Sequence, residues 1–219
     1  ALRDFSGNPV LVDGVDIMPG VRAELEKIKA FVEKIHSGAL LGATGKAITD
    51  VVNLGVGGSD LGSVMATEAL SEYRQGNVGL RFVSSIDGTH LTDVLQAADA
   101  ETTLFIVSSK SFTTLDTMAN AEVAKQWLIQ KLGKDANVSN HLVGVSSNDS
   151  AMAQFGISRS QRFYIWDWVG GRYSIASAVG LPIAIAVGFE HFEQMLAGMH
   201  TMDNHFRHAP LEQNIPVMM

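Results

Sequence analysis

Short apolar runs rich in β-branched residues alternate along this chain with longer segments of helical periodicity. The apolar runs occupy residues 50–56, 80–84, 103–107, 141–145 and 163–166. Such alternation is typical of βαβ units, in which helices cover both faces of a parallel sheet. The sequence therefore predicts an α/β domain with a doubly wound, five-stranded parallel sheet flanked by helices.

The segments between the runs have the spacing of amphipathic helices, and helices are predicted over residues 21–35, 61–70 and 91–98. In the segment after the third run, four apolar residues stand four positions apart, and we predict that they form one buried stripe: Leu115, Ala119, Val123 and Trp127. We expect the strand order of flavodoxin-like sheets, in which ligands bind at the carboxyl ends of the strands.

The longest uncharged stretch covers the 17 residues 173–189. This length is at the lower limit for a helix that spans a bilayer, but the stretch contains Pro182 and lies between Arg172 and Glu190. We interpret it as a buried core helix and expect no membrane partner. The predicted division is a lead-in segment and helix (1–48), the α/β domain (49–188), and a helix and linker into a missing second domain (189–219).

Charge and composition argue against several functions. The 16 Lys and Arg residues face 23 Asp and Glu residues, and no basic cluster is present, so we expect no nucleic-acid partner. The absence of cysteine excludes disulfides and cysteine metal sites. The opening residues have no signal-peptide pattern, which favours a cytoplasmic location, and they lack an initiator Met, which indicates processing or truncation.

Residues 55–62 (GVGGSDLG) form a glycine-rich turn between the first strand and its helix. Glycine lets the backbone approach a ligand, and a helix N-terminus offers unpaired N–H groups to an anion. Ser59 adds a hydroxyl group. Two alternatives remain at this point: a tight turn that Ser59 caps, and a dinucleotide site that uses Asp87 after the second strand.

Residues 108–114 (SSKSFTT) place five hydroxyl groups and one lysine between the third strand and its helix. A phosphate dianion is stabilised by several short donors and by the positive end of a helix dipole. The alternative is a Ser/Thr-rich helix cap with a solvated lysine. The pattern favours an anion site.

Residues 167–174 (DWVGGRYS) follow the fifth strand and contain two glycines before Arg172. A guanidinium group at the carboxyl end of the sheet can stabilise an oxyanion that develops during a reaction. The alternative is an ion pair, for example with Asp167, that holds the following apolar segment in place.

Together the three turns resemble the glucose-6-phosphate isomerase (phosphoglucose isomerase) family. The family's Gly-Gly-Ser-x-Leu-Gly turn matches residues 57–62, and its Ser-Lys-Thr-Phe-Thr-Thr segment matches residues 109–114 with Ser111 in place of threonine. Its Gly-Gly-Arg signature matches within residues 167–180, and Asp116 stands where the family usually has glutamate. The resemblance implies a sugar isomerase domain whose substrate is a sugar phosphate.

What the resemblance implies for the site can be stated residue by residue. The phosphate would be held by Ser59, Ser109, Ser111 and Thr114, and Gly58, Lys110 and Thr113 would line that site. Thr117 would support it, Gly171 would approach the sugar, and the catalytic Arg172 would stabilise a cis-enediolate. The family interconverts glucose 6-phosphate and fructose 6-phosphate in glycolysis and gluconeogenesis, without a metal or an organic cofactor, as a homodimer.

Other family motifs are absent from this sequence. The Glu-Ser-x-Gly-Lys segment that carries the catalytic base and the Gly-Gln-His segment that supplies the ring-opening histidine do not occur. We therefore expect a fragment of less than half the family's length that lacks both the N-terminal region and the C-terminal portion, and that is inactive in isolation. Two alternatives to an isomerase are a non-catalytic sugar-phosphate sensor, which would not need Arg172, and a nucleotide-dependent oxidoreductase, which leaves residues 108–114 unexplained.

Overall fold

The computed structural model describes residues 2–219, and a parallel sheet of five strands lies at its centre. The strands are β1 (Asp50–Leu54), β2 (Gly79–Val83), β3 (Thr103–Ser108), β4 (Leu142–Ser146) and β5 (Arg162–Tyr164). Their order across the sheet is β2-β1-β3-β4-β5, and every neighbouring pair is parallel. The predicted five-stranded, doubly wound sheet with flavodoxin-like order is confirmed.

Helices cover both faces of the sheet. They are α1 (Met18–His36), α2 (Leu61–Ala69), α3 (Gly88–Gln96), α4 (Leu115–Leu132), α5 (Asp149–Phe155), α6 (Leu181–Val187), α7 (Phe189–His208) and α8 (Ile215–Met218). Apolar side chains of α1, α6 and α7 fill one core, and those of α3, α4 and α5 fill the other. A short antiparallel hairpin precedes α1, with strands of two residues each, Leu11–Val12 and Val15–Asp16.

The buried face of α4 differs from the predicted stripe. Leu115 is 74 % exposed and Val123 is 52 % exposed. The buried residues of the helix are Thr117, Asn120, Ala121, Ala124 and Leu128. A strict step of four residues advances about 40° beyond a full turn each time, so three such steps drift by about 120° around the helix. Steps of four, three and four stay on one face, and small residues there let the helix approach the sheet.

The sequence predicted one buried helix over the stretch 173–189. The structure shows that most of this stretch is buried, but it is divided into several short elements. Short 3-10 turns at Gly171–Ala176 and Ala178–Gly180 lead into the seven-residue helix α6. All seven residues of α6 are buried, and Gly188, with φ of +81°, separates it from α7. Among residues 2–219, no helix combines the length and apolar character needed to cross a bilayer.

Helix α1 covers the free edge of β5 with two charged side chains. The Tyr164 N–H donates to Glu24 Oε1 at 2.9 Å, and Lys27 Nζ donates to the Arg162 carbonyl oxygen. The unpaired backbone groups of an edge strand thereby gain partners, which protects the edge from pairing with another chain. This contact fixes β5 and the start of the turn that follows it.

Candidate functional site

The three turns predicted to carry chemistry meet at the carboxyl end of the sheet around a cavity of about 420 Å³. Eight of the predicted site residues line it: Gly58, Ser59, Ser109, Lys110, Ser111, Thr114, Thr117 and Gly171. Thr113 and Arg172 are not part of the lining, and both are exposed. Four lining residues had not been singled out as ligand contacts from the sequence: Val56, Ser108, Ser147 and Asp167.

The first turn is held in close contact with the third. Gly57 has φ of +56°, and Gly57–Ser59 form a single 3-10 turn. A Cβ atom on Gly58 would lie 2.1 Å from the Gly171 carbonyl oxygen, so only glycine fits there. Asn53 Nδ2 donates to the Ser59 carbonyl oxygen at 3.2 Å and ties the turn to β1.

The second turn is shaped by a buried phenylalanine. Phe112 takes the left-handed conformation with φ of +56° and packs edge-on against Phe155, with 5.9 Å between the ring centroids. This places Ser109 and Thr114 side by side, with 3.0 Å between Ser109 Oγ and Thr114 Oγ1. Thr113, which does not line the cavity, donates from Oγ1 to Ser111 Oγ at 2.7 Å.

The N-terminus of α4 opens on this pair of hydroxyl groups. Thr114 is the N-cap residue, yet its side chain accepts no hydrogen bond from the first turn of the 18-residue helix. The first amide groups of a helix have no partner within the helix, and they carry the positive end of its dipole. The arrangement of free amides beside two hydroxyl groups suits an anion.

Two further hydroxyl groups belong to the wall of the cavity. Ser108 and Thr117 are each 1 % exposed, and neither Ser108 Oγ nor Thr117 Oγ1 has a hydrogen-bond partner within residues 2–219. Buried hydroxyl groups in proteins nearly always have a partner. Ser108 could have been noticed from the sequence, because it stands at the carboxyl end of a predicted strand, where ligands bind.

The third turn is braced by the other two. Lys110 Nζ donates to the carbonyl oxygens of Asp167 at 2.6 Å and Val169 at 3.1 Å. Ser174 Oγ donates to the carbonyl oxygens of Gly171 at 2.7 Å and Gly58 at 3.1 Å. The backbone of the third turn is therefore held at its beginning by Lys110 of the second turn and at its end by Ser174, which also contacts the first turn.

Arg172 extends from the third turn without an internal partner. Within the described residues its guanidinium group makes neither an ion pair nor a hydrogen bond, so the alternative of an ion pair with Asp167 is wrong for this structure. An arginine that is not engaged by the protein remains available to a ligand or to another chain.

Lys110 and Asp167 are the charged residues in the lining of the cavity, and a further carboxyl group lies beside it. The carboxyl group of Asp60, next to Ser59, is buried, and this burial raises its pKa, although a hydrogen bond from Ser84 and the charge of His90 act in the opposite direction. No group of three or more His, Asp or Glu side chains within residues 2–219 is arranged to hold a metal ion.

A second cleft, of about 480 Å³, lies beyond the third turn between the N-terminal segment and α7. In it Arg3 Nε lies 2.7 Å from Asp203 Oδ2 and His200 Nδ1 lies 4.0 Å from Asp4 Oδ1, and Arg207 also lines this cleft. It lacks the cluster of hydroxyl groups and the free helix N-terminus, so the first cavity is the better anion site.

Fold and cavity together define the class of this domain: a doubly wound α/β sheet with a cleft lined by hydroxyl groups at the carboxyl ends of its strands. The family model of phosphoglucose isomerase matches residues 1–219. The chain belongs to the phosphoglucose isomerase family.

Two solved structures show the extent of the similarity. A glucose-6-phosphate isomerase from Chlamydia trachomatis is 28 % identical with a TM-score of 0.82, and the match covers 99 % of this chain but 40 % of that one. A hypothetical protein from Thermus thermophilus is 25 % identical with a TM-score of 0.72, over 92 % of this chain and 45 % of that one. The chain thus spans less than half the length of these two structures.

Proposed function

We propose that this chain is the sugar-phosphate-binding domain of an aldose–ketose isomerase that interconverts glucose 6-phosphate and fructose 6-phosphate. The observation that carries the proposal is the open N-terminus of α4 beside the paired hydroxyl groups of Ser109 and Thr114. A phosphate dianion gains charge-assisted hydrogen bonds and a favourable dipole at such a position. Membership of the family supports the choice of substrate.

The phosphate lies between the first and second turns. Ser59, Ser109, Ser111 and Thr114 donate hydroxyl groups to it, and the close contact of Gly58 with Gly171 lets the ligand approach the backbone. The buried hydroxyl group of Thr117 supports this end of the cleft, where a ligand oxygen would give it a partner. Thr113 acts indirectly, through its hydrogen bond to Ser111.

The sugar extends from the phosphate towards the third turn. Isomerisation moves a proton between C2 and C1 through a cis-enediolate, whose negative charge is stabilised by the guanidinium group of Arg172. Gly171 borders the cavity without a side chain and leaves room for the sugar. The free guanidinium group favours this role over a purely sensory domain, which needs no charge at that position.

The catalytic base is supplied from outside these residues. Proton abstraction requires a carboxylate within hydrogen-bond reach of the substrate carbon-bound proton. Among the lining residues of the described cavity, the one carboxylate is Asp167, the first residue of the third turn, and the Glu-Ser-x-Gly-Lys segment that carries the family's base does not occur in this sequence. The 219-residue chain accordingly binds substrate without turning it over, whereas the complete enzyme acts in the cytoplasm, in glycolysis and gluconeogenesis, as a homodimer.

Calorimetric titration of the 219-residue chain with fructose 6-phosphate tests the proposal. Removal of one hydroxyl group by Ser109→Ala or Thr114→Ala should weaken binding by about 0.5–3 kcal/mol, a range that extends from an ordinary hydrogen bond to one with a charged group. Ser139→Ala and Thr92→Ala are matched controls, because both hydroxyl groups make hydrogen bonds away from the cavity. Binding that is equally strong in the wild type and all these variants would rule out a phosphate at the second turn.

A further inference from the structure

We infer that Lys110 is a positioning residue whose ammonium group holds the third turn, and with it Gly171 and Arg172, at a fixed distance from the hydroxyl groups of the second turn. This inference rests on the function proposed above. The place of Lys110 in the second turn suggests a different role, in which its positive charge binds the phosphate directly.

The side chain of Lys110 is directed at the backbone of the third turn. Its Nζ donates to the carbonyl oxygens of Asp167 and Val169, the residues on either side of Trp168. An ammonium group has three donors in all, so most of its hydrogen-bonding capacity is used within the protein. The side chain therefore connects two turns that are 57 residues apart in the sequence.

The main chain of Lys110 is itself fixed. Its carbonyl oxygen accepts from Ser146 Oγ at 2.8 Å, from Ser147 Oγ at 2.9 Å and from Ser147 N at 2.9 Å. Three donors on one carbonyl group anchor the second turn to the end of β4. Because the base of the lysine is held in place, its ammonium group sets the position of the carbonyl groups that it contacts.

Arg172 lies between the two points at which the third turn is held. Lys110 holds the part from Asp167 to Val169, and Ser174 holds the part next to Gly58 and Gly171. Loss of the ammonium group releases the first of these points and leaves the second in place. The phosphate end of the cleft then stays intact while the sugar end loses its alignment.

This geometry separates a positioning lysine from a direct anion ligand. A lysine that neutralises the phosphate strengthens the binding of every phosphorylated ligand, inorganic phosphate included. A lysine that positions the third turn affects ligands that reach Gly171 and Arg172, and it has little effect on inorganic phosphate. The two ligands together distinguish the two roles.

Dissociation constants for inorganic phosphate and fructose 6-phosphate are to be measured on the 219-residue chain and its variants. In Lys110→Met we expect fructose 6-phosphate to bind about tenfold more weakly, as for the loss of one or two hydrogen bonds to a charged group, and inorganic phosphate to change less than about threefold. Lys110→Arg, which keeps a cationic donor, should restore part of the sugar-phosphate affinity. Equal losses for both ligands, or no loss for either, would overturn the inference.

Lys125→Met is the matched control. Lys125 Nζ donates to the Phe155 carbonyl oxygen at 2.6 Å, so the variant loses the same kind of contact outside the cavity. It should change neither dissociation constant. A loss of fructose 6-phosphate affinity as large as that of Lys110→Met would show a general effect on the fold and would overturn the inference.

Hydrogen exchange of residues 167–174 in the ligand-free protein provides a readout that does not depend on binding. Exchange in this segment should be faster in Lys110→Met than in the wild type and in Lys125→Met, because amides next to a released turn open more often. Unchanged exchange contradicts the inference. Failure of the wild type to bind either ligand contradicts the proposed function instead, so the two failures are distinguishable.

Discussion

At the scale of single residues, the cleft depends on one close approach between two backbones. Gly58 and Gly171 come from turns that are far apart in the sequence, and a Cβ atom on Gly58 would lie 2.1 Å from the Gly171 carbonyl oxygen. Backbone atoms cannot move aside as a flexible side chain can. The contact therefore couples the glycine-rich first turn to the position of Arg172.

We predict that Gly58→Ala destabilises the protein by about 1–3 kcal/mol, the usual cost of overpacking, and weakens fructose 6-phosphate binding. The free energy of unfolding from urea denaturation measures the first effect, and calorimetry the second. Gly88→Ala is the control, since Gly88 lies in the first turn of α3 with no atom within 4 Å of the added Cβ. A Gly58→Ala protein as stable and as competent in binding as Gly88→Ala would contradict the structure of the cleft.

The limits of the sequence at this scale are shown by Lys110. The position of Ser109 and Thr114 in the cavity was predictable, because both stand between a strand and the helix that follows it, at the carboxyl end of the sheet. The destination of the Lys110 side chain was not, because its partners are backbone carbonyl groups of a distant turn and carry no residue-type signal. That the hydroxyl groups of Ser108 and Thr117 are buried without a hydrogen-bond partner likewise depends on packing that the sequence does not display, although it does display the position of Ser108 after a predicted strand.

At the scale of elements, His141 joins the loop before β1 to strand β3. The Ala43 N–H donates to His141 Nε2 at 2.8 Å, which requires an unprotonated Nε2, and Nδ1 lies 2.8 Å from the Thr103 carbonyl oxygen. The side chain is fully buried, and burial lowers the pKa of the imidazole, although the hydrogen bond to Thr103 acts in the opposite direction. The folded protein thus contains neutral His141.

Acid should destabilise the protein through this residue. The unfolded chain takes up a proton near the ordinary pKa of 6.5, which the folded chain does not, so the free energy of unfolding falls as the pH drops below that value. His141 contributes at most about 1.4 kcal/mol per pH unit. The raised pKa values of Glu24 and Asp60 act in the opposite direction at lower pH.

Urea denaturation between about pH 7 and pH 5.5 measures the effect, and His141→Gln should show a shallower dependence on pH than the wild type. Titration of the His141 imidazole by NMR in the folded protein provides a second measurement that does not need the variant to fold. A folded-state pKa at or above the ordinary value of 6.5, or equal slopes in the two proteins, would contradict the account.

Prediction of the elements succeeded where the pattern was local and failed where it depended on packing. The five strands were predictable because β-branched runs bounded by turns are distinctive. The stripe on α4 was wrong because a strict four-residue step drifts around the helix, whereas Ala121 and Ala124, three residues apart, lie on the face that meets the sheet. The stretch 173–189 has the composition of one helix, but packing determines its path. Gly180 lies so close to Phe192 of α7 that an added Cβ atom would be 2.7 Å from the ring, a contact between distant residues that composition does not indicate.

At the scale of the whole molecule, we propose that the chain provides one part of a larger active site. It covers 40 % of the Chlamydia trachomatis isomerase that it resembles, and its own residues account for the phosphate end of the cleft and for Arg172. The proposed division of labour is that these residues bind and orient a sugar phosphate, while the base comes from elsewhere in the complete enzyme. The division of the chain at residues 48 and 188 stays a prediction.

The central claim is that one phosphorylated sugar is held at the carboxyl end of the sheet between the first and second turns. A crystal of the 219-residue chain soaked with fructose 6-phosphate tests it most directly. The account predicts density for the phosphate group within hydrogen-bond distance of Ser59, Ser109 and Thr114, with the sugar directed towards Gly171. A phosphate group bound in the second cleft, beside Arg3 and Asp203, would contradict it.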